Sequence, residues 1–153
     1  TGVITKEFLA ASLDLWEPET HASEWIPGLD PNRVDWRKLK IVDLYRHIAK
    51  FYPSVQFSQM STAKDIVQVF FYEIMGGDSS DWSSKMFANM DYLNQNVDEF
   101  RSFIAPGEEH CVLPYDRFYS TKSEGTFFWK WFRNYLNNEK PESIDCEGCS
   151  FSE

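Results

Sequence analysis

The sequence predicts an α/β chain that is rich in helix and carries about two strands of a mostly parallel sheet. Three observations predict it. Long segments repeat apolar residues at helical spacing, above all 35–51, 63–75, 81–99 and 125–138. Two short runs, 55–61 and 100–105, read as strands. Helices separate those runs, and strand–helix alternation is the mark of a parallel sheet with crossovers.

Taken in order, residues 3–16 predict a short helix with Phe8, Leu9, Ser12, Leu13 and Trp16 on one side. Residues 17–36 read as loop, punctuated by Pro18, Pro27, Gly28 and Pro31 and anchored by Trp25, Ile26 and Trp36. An amphipathic helix follows over 35–51, with Leu39, Val42 or Ile41, Leu44, Tyr45, Ile48, Phe51 and Tyr52 on its stripe; Pro53 ends it. In the 55–61 run Val55, Phe57 and Gln59 alternate with Gln56, Ser58 and Met60. The helix expected over Ala63 to Met75 is apolar on most faces, which predicts deep packing, and Gly76-Gly77 stop it. Asp78-Ser79-Ser80-Asp81 supplies N-cap chemistry for a helix across 81–99, striped by Trp82, Met86, Met90, Leu93 and Val97. After the strand Phe100 to Ala105, a long loop over 106–124 leads to a last helix with two apolar sides, 125–138. The expected organisation is one body over 1–140 and a polar, cysteine-bearing tail over 141–153.

At 153 residues, with 42% hydrophobic and 17% aromatic content, the chain can bury a core of its own. A net charge of −9 argues against nucleic acid or an anionic membrane surface as the main partner. No apolar run approaches the ~20 residues that span a bilayer. Residues Thr1 to Glu7 carry no signal-peptide pattern.

Cysteines stand at Cys111, Cys146 and Cys149. The C-x-x-C pair could be redox-active or half a zinc site. A second knuckle is missing, and no helical pattern follows Cys149. The expectation is a structural disulfide tying the tail to the body, Cys111 to Cys146 or Cys149, in a secreted or luminal compartment.

The chemistry centres on two residues. Asp65 follows the first strand and His110 the second, through Pro106-Gly107-Glu108-Glu109. Open α/β sheets place functional groups at strand C-terminal ends. An acid and then a histidine is the Asp…His end of the α/β-hydrolase order Ser…Asp…His. His110 would be the base and Asp65 the acid that orients it. Asp65 could instead cap the helix that follows. Asp116 and Asp14 are rival acids. His47, off the stripe of its helix, and His21, in a loop, are expected at the surface. No G-x-S-x-G occurs in the 153 residues. The nucleophile and the remaining strands are therefore expected upstream of Thr1, which makes this the C-terminal part of an α/β-hydrolase fold.

The segments Thr1-Gly2-Val3-Ile4-Thr5, Phe70 to Gly77, Ser61-Thr62-Ala63-Lys64-Asp65 and above all Phe103-Ile104-Ala105-Pro106-Gly107-Glu108-Glu109-His110-Cys111-Val112-Leu113-Pro114 resemble the C-terminal half of the pectin acetylesterase family, which includes the carboxylesterase Notum. The likeness is to its bacterial and algal branch and runs from Thr1 to about Cys149. It implies an α/β-hydrolase fold, a triad with Asp65 as acid and His110 as base, secretion with disulfides, and an acylated polysaccharide or other ester as substrate, with no cofactor. The family's nucleophile and oxyanion-hole donors fall before Thr1.

Two further functions compete. A non-catalytic subunit of a larger assembly would account for thirteen Phe and six Trp as surface that a partner covers. Its partner would be the N-terminal half of the fold or a companion chain. A carbohydrate-binding platform on Trp16, Trp25 and Trp36 is the weaker expectation.

Overall fold

In the computed structural model the chain is a mixed α/β protein. The structure describes residues 2–146 and 149. Six α-helices lie among them: α1 (Lys6–Trp16), α2 (Ile41–Phe51), α3 (Ile66–Ile74), α4 (Ser79–Asn96), α5 (Arg117–Ser120) and α6 (Phe128–Leu136). The strands are β1 (Phe57–Thr62), β2 (Phe100–Ala105), β3 (Lys122–Ser123) and β4 (Thr126–Phe127). β1 pairs with β2, and β3 with β4. Phe57 N–H donates to Glu99 O and Ala63 N–H to Ala105 O, each at 2.9 Å. Both pairings advance in the same direction along the two chains, so β1 and β2 are parallel. β3 and β4 are antiparallel, a small hairpin turned at Glu124-Gly125.

The chain forms two compact units. One takes the residues up to Phe57 and Phe71–Phe100; the other takes Ser58–Phe70 and the residues from Arg101 onward.

In the first unit α4 is the central element. Asp78 caps it by accepting from Ser80 N–H at 2.9 Å. Trp82, Met86, Met90, Leu93 and Val97 are all buried, so the expected stripe is the packed face. Thr5 caps α1, accepting from Phe8 N–H at 3.2 Å, and its hydroxyl donates to Met75 O at 2.7 Å. α2 begins at Ile41, six residues later than the spacing suggested. The cause is local: Asp35 accepts from Arg37 N–H at 3.1 Å and folds Trp36–Lys38 into a separate 3₁₀ turn. A new helix then starts where Lys40 N–H donates to the Asp43 carboxylate at 2.9 Å. Phe51 and Tyr52, placed on the buried stripe by spacing, are exposed at the helix end. His47 is half-buried, not a surface residue as expected. Gly28 leaves room for its ring, since a Cβ there would lie 1.9 Å from His47 Nδ1.

α3 departs most from expectation. Only Tyr72 is buried, while Ile66, Phe70, Phe71 and Ile74 are exposed. Apolar composition alone does not make a helix central; a neighbour must cover it. The helix closes as expected at Gly76-Gly77, through Gly76 N–H to Glu73 O and Gly77 N–H to Tyr72 O.

The second unit is built around an aromatic core. Phe103 and Ala105 of β2, Val112, and Phe128 and Trp131 of α6 are buried together. Phe103 meets Phe128 edge-on at 5.2 Å between centroids, within the range of favourable ring pairs. The expected loop over 106–124 holds α5 and β3, and α6 starts only after β4. Beyond α6 the chain returns to β2: Ile104 N–H donates to Ile144 O at 2.7 Å and Ile144 N–H to Ser102 O at 2.9 Å. Trp131 Nε1–H donates to Glu142 O at 2.8 Å. Residues 147, 148 and 150–153 of the tail lie outside the described residues.

Cys146 and Cys149 are joined by a disulfide, and Cys111 is an exposed free thiol. The expected bond from Cys111 to the tail is therefore corrected. The C-x-x-C closes on itself, with Cys149 N–H donating to Cys146 O at 3.1 Å, and needs no distant partner.

Candidate active site

Two loops in the second unit build the site, one after each strand of the parallel pair. The first, Ala63 to Asp65, leads from β1 into α3. The second, Pro106 to His110, follows β2. The hydrogen bonding of the strands continues beyond their ends. Lys64 N–H donates to Gly107 O at 3.0 Å and Ile66 N–H to Glu108 O at 3.1 Å. Thr62 Oγ1–H donates to Glu109 O at 2.8 Å. Ile66 N–H is one of the amides that the first turn of α3 leaves without an intrahelical partner, so the second loop completes the helix start.

Gly107 makes the sharp bend between β2 and the histidine. Its φ is +110°, where a side chain is strained. Two residues past His110, Val112 is buried in the aromatic core and pins the far end of the loop. Cys111 between them adopts φ +61°. The histidine is thus held on both sides, by backbone bonds before it and by packing after it.

Asp65 and His110 meet. His110 Nδ1 lies 2.8 Å from Asp65 Oδ2 and 3.0 Å from Oδ1. The Asp65 side chain is 7% exposed and that of His110 35%. An ionised carboxylate only accepts hydrogen bonds, so the ring proton is assigned to Nδ1. That leaves Nε2 with its lone pair for a substrate or nucleophile proton. Asp65 also accepts from Gln68 N–H through Oδ1 at 3.0 Å. The two roles weighed from sequence, helix cap and partner of the histidine, are therefore held at once by one carboxylate.

The carboxylate that His110 meets is that of Asp65, not of either rival acid. Asp14 forms an ion pair with Arg37. Asp116 precedes α5, and its carbonyl accepts from Tyr119 N–H at 3.0 Å. Nothing in the sequence marked Thr62, Gln68 or the Glu108 and Glu109 carbonyls as supports, because their bonds join segments distant along the chain or use backbone atoms common to all residues. Among the described residues, no three His, Cys, Asp or Glu side chains converge to hold a metal ion.

The arrangement can do one piece of chemistry well. A buried carboxylate fixes the tautomer and orientation of a half-exposed imidazole, the pairing that lets histidine act as base and then acid in acyl transfer. No protein-family model, curated protein or solved structure matches the chain.

Proposed function

We propose that the chain supplies the acid–base half of a serine esterase, with Asp65 orienting His110 and a serine from outside these 153 residues as nucleophile. The hydrogen bond of 2.8 Å between His110 Nδ1 and Asp65 Oδ2 carries this reading. His110 Nε2 takes the serine proton as the hydroxyl attacks an ester carbonyl, then returns a proton to the departing alcohol. Water repeats the sequence to release the acid. The order Asp then His, each after a strand of a parallel pair, supports an α/β-hydrolase, and the sequence resemblance to the pectin acetylesterase family suggests acylated polysaccharide or a related ester as substrate. The Cys146–Cys149 disulfide favours a secreted or luminal setting. The test is hydrolysis of p-nitrophenyl acetate by the native protein together with any chain that stays attached. His110→Ala is expected to remove turnover above background; full turnover in that variant overturns the proposal.

One observation favours a second reading, a non-catalytic subunit. Ile66, Phe70 and Ile74 of α3 are 56%, 57% and 64% exposed at helical spacing, as an interface helix would be. Among the described residues no helix is long and apolar enough to cross a membrane. The subunit reading expects tight co-purification with another chain and no esterase activity; an active, monodisperse monomer contradicts it.

A further inference from the structure

The first unit carries a feature that the hydrolase reading does not use. A cavity of about 720 Å³ opens between the starts of α1 and α2 and the middle of α4. Five cationic residues line it, Lys6, Arg37, Lys38, Lys40 and Lys85, and no carboxylate does, in a chain of net charge −9. A second, largely apolar groove of about 350 Å³ adjoins it, walled by Phe8, Trp16, Pro18, Trp36 and Leu44. The two are neighbours, with Ile4, Leu9, Leu13, Leu39, Lys40 and Ile41 lining both. Each volume lies in the range of about 300–1,000 Å³ usual for small-molecule sites.

The charges divide into two groups. Asp14 holds Arg37, Asp35 holds Lys38 at 3.2 Å, and Asp81 holds Lys85 at 2.7 Å. Lys6 and Lys40 have no ion-pair partner among the described residues. Lys40 stands at the junction, lining both the cationic cavity and the apolar groove. The Trp36 indole is fixed by donating to Leu29 O at 3.1 Å, whereas Trp16 is 64% exposed. A wet apolar groove leading to two unpaired ammonium groups complements a ligand with an apolar tail and one anionic head.

We propose that this composite groove binds an amphipathic monocarboxylate, a fatty acid of medium chain length, with its carboxylate on Lys40 and Lys6 and its tail along Trp16, Trp36 and Leu44. Charge selects this occupant. An uncharged or cationic amphiphile leaves the lysines without a counter-ion, and a purely mineral anion leaves the apolar wall wet. The site is made of first-unit residues alone and does not depend on the esterase reading.

Titration of the whole protein with dodecanoate below its micelle concentration, read by tryptophan fluorescence, tests it. Saturable binding of one ligand per chain is expected, with dodecyltrimethylammonium binding far more weakly. The double variant Lys6→Gln/Lys40→Gln should weaken dodecanoate at least about tenfold, the loss expected for removing charge-assisted hydrogen bonds. Its affinity for dodecanol should stay unchanged, which shows that the groove itself has survived. Equal dodecanoate affinity in the double variant overturns the proposal. So does binding seen only with anionic vesicles, or sedimentation showing a dimer that shields Trp16 and takes up no ligand.

Discussion

Asp65 carries two loads, and two substitutions separate them. Asparagine caps helices about as well as aspartate, whereas alanine costs about 1 kcal/mol. Asp65→Asn is expected to keep the start of α3 but lose the charge that orients His110, lowering esterase turnover on the order of 10⁴-fold. Asp65→Ala should show the same kinetic loss and a lower melting temperature. Turnover rates and thermal melts of the two variants check this. His47 makes a second prediction. Burial first, then the neighbouring Arg46 guanidinium, pushes its pKa below the usual 6.5, with Asp43 opposing and Lys50 adding to the effect. Arg46 Nη2 lies 3.1 Å from His47 Nε2, so the neutral ring accepts that bond. A histidine whose folded pKa is depressed disfavours its proton in the folded state. The stabilisation is complete above pH 6.5 and is lost as pH falls below that value. Denaturant melts at pH 7.5 and 5.5 should show a loss of stability at the lower pH that His47→Gln reduces. The residues of the site were legible in the sequence because each follows a strand-like run and one precedes a helix. Their distance, and the bond from Thr62 to Glu109 that sets it, were not, since they depend on which loops become neighbours.

Elements were legible where pattern and packing agree. In α4 a polar background isolates Trp82, Met86, Met90, Leu93 and Val97, so periodicity points to one face and that face is buried. In α3 nearly every residue is apolar, so periodicity has no direction to report, and the exposed side includes Ile66, Phe70 and Ile74. The two helices should respond oppositely to substitution. Met90→Ala, at a fully buried position, is expected to cost about 2–5 kcal/mol. Ile74→Ser, at a 64% exposed position, should stay within about 0.5 kcal/mol in the isolated chain. Urea melts of both variants make the comparison. The start of α2 was misplaced for another reason: the capping of Trp36–Lys38 by Asp35 interrupts a hydrophobic spacing that otherwise continues. β3 and β4, two residues each, are too short to leave a periodic signal.

At the scale of the molecule, composition marks the chain as globular, periodicity marks it as α/β, and the two strands of the parallel pair follow from two strand-like runs. The cysteine pairing does not, because three thiols allow three single pairings and sequence ranks none of them. The structure predicts an accessible Cys111 thiol and a closed C-x-x-C. Iodoacetamide applied before reduction should alkylate Cys111 alone, and peptide mapping should find Cys146 and Cys149 linked to each other. His110 and Asp65 are proposed as the acid–base pair of a serine esterase. The most direct measurement is labelling of the native protein, with any chain that stays attached, by a serine-directed fluorophosphonate. A labelled serine outside these 153 residues is expected, with labelling lost in His110→Ala and strongly slowed in Asp65→Asn. No labelling of the native protein, or equal labelling in all three forms, would contradict it.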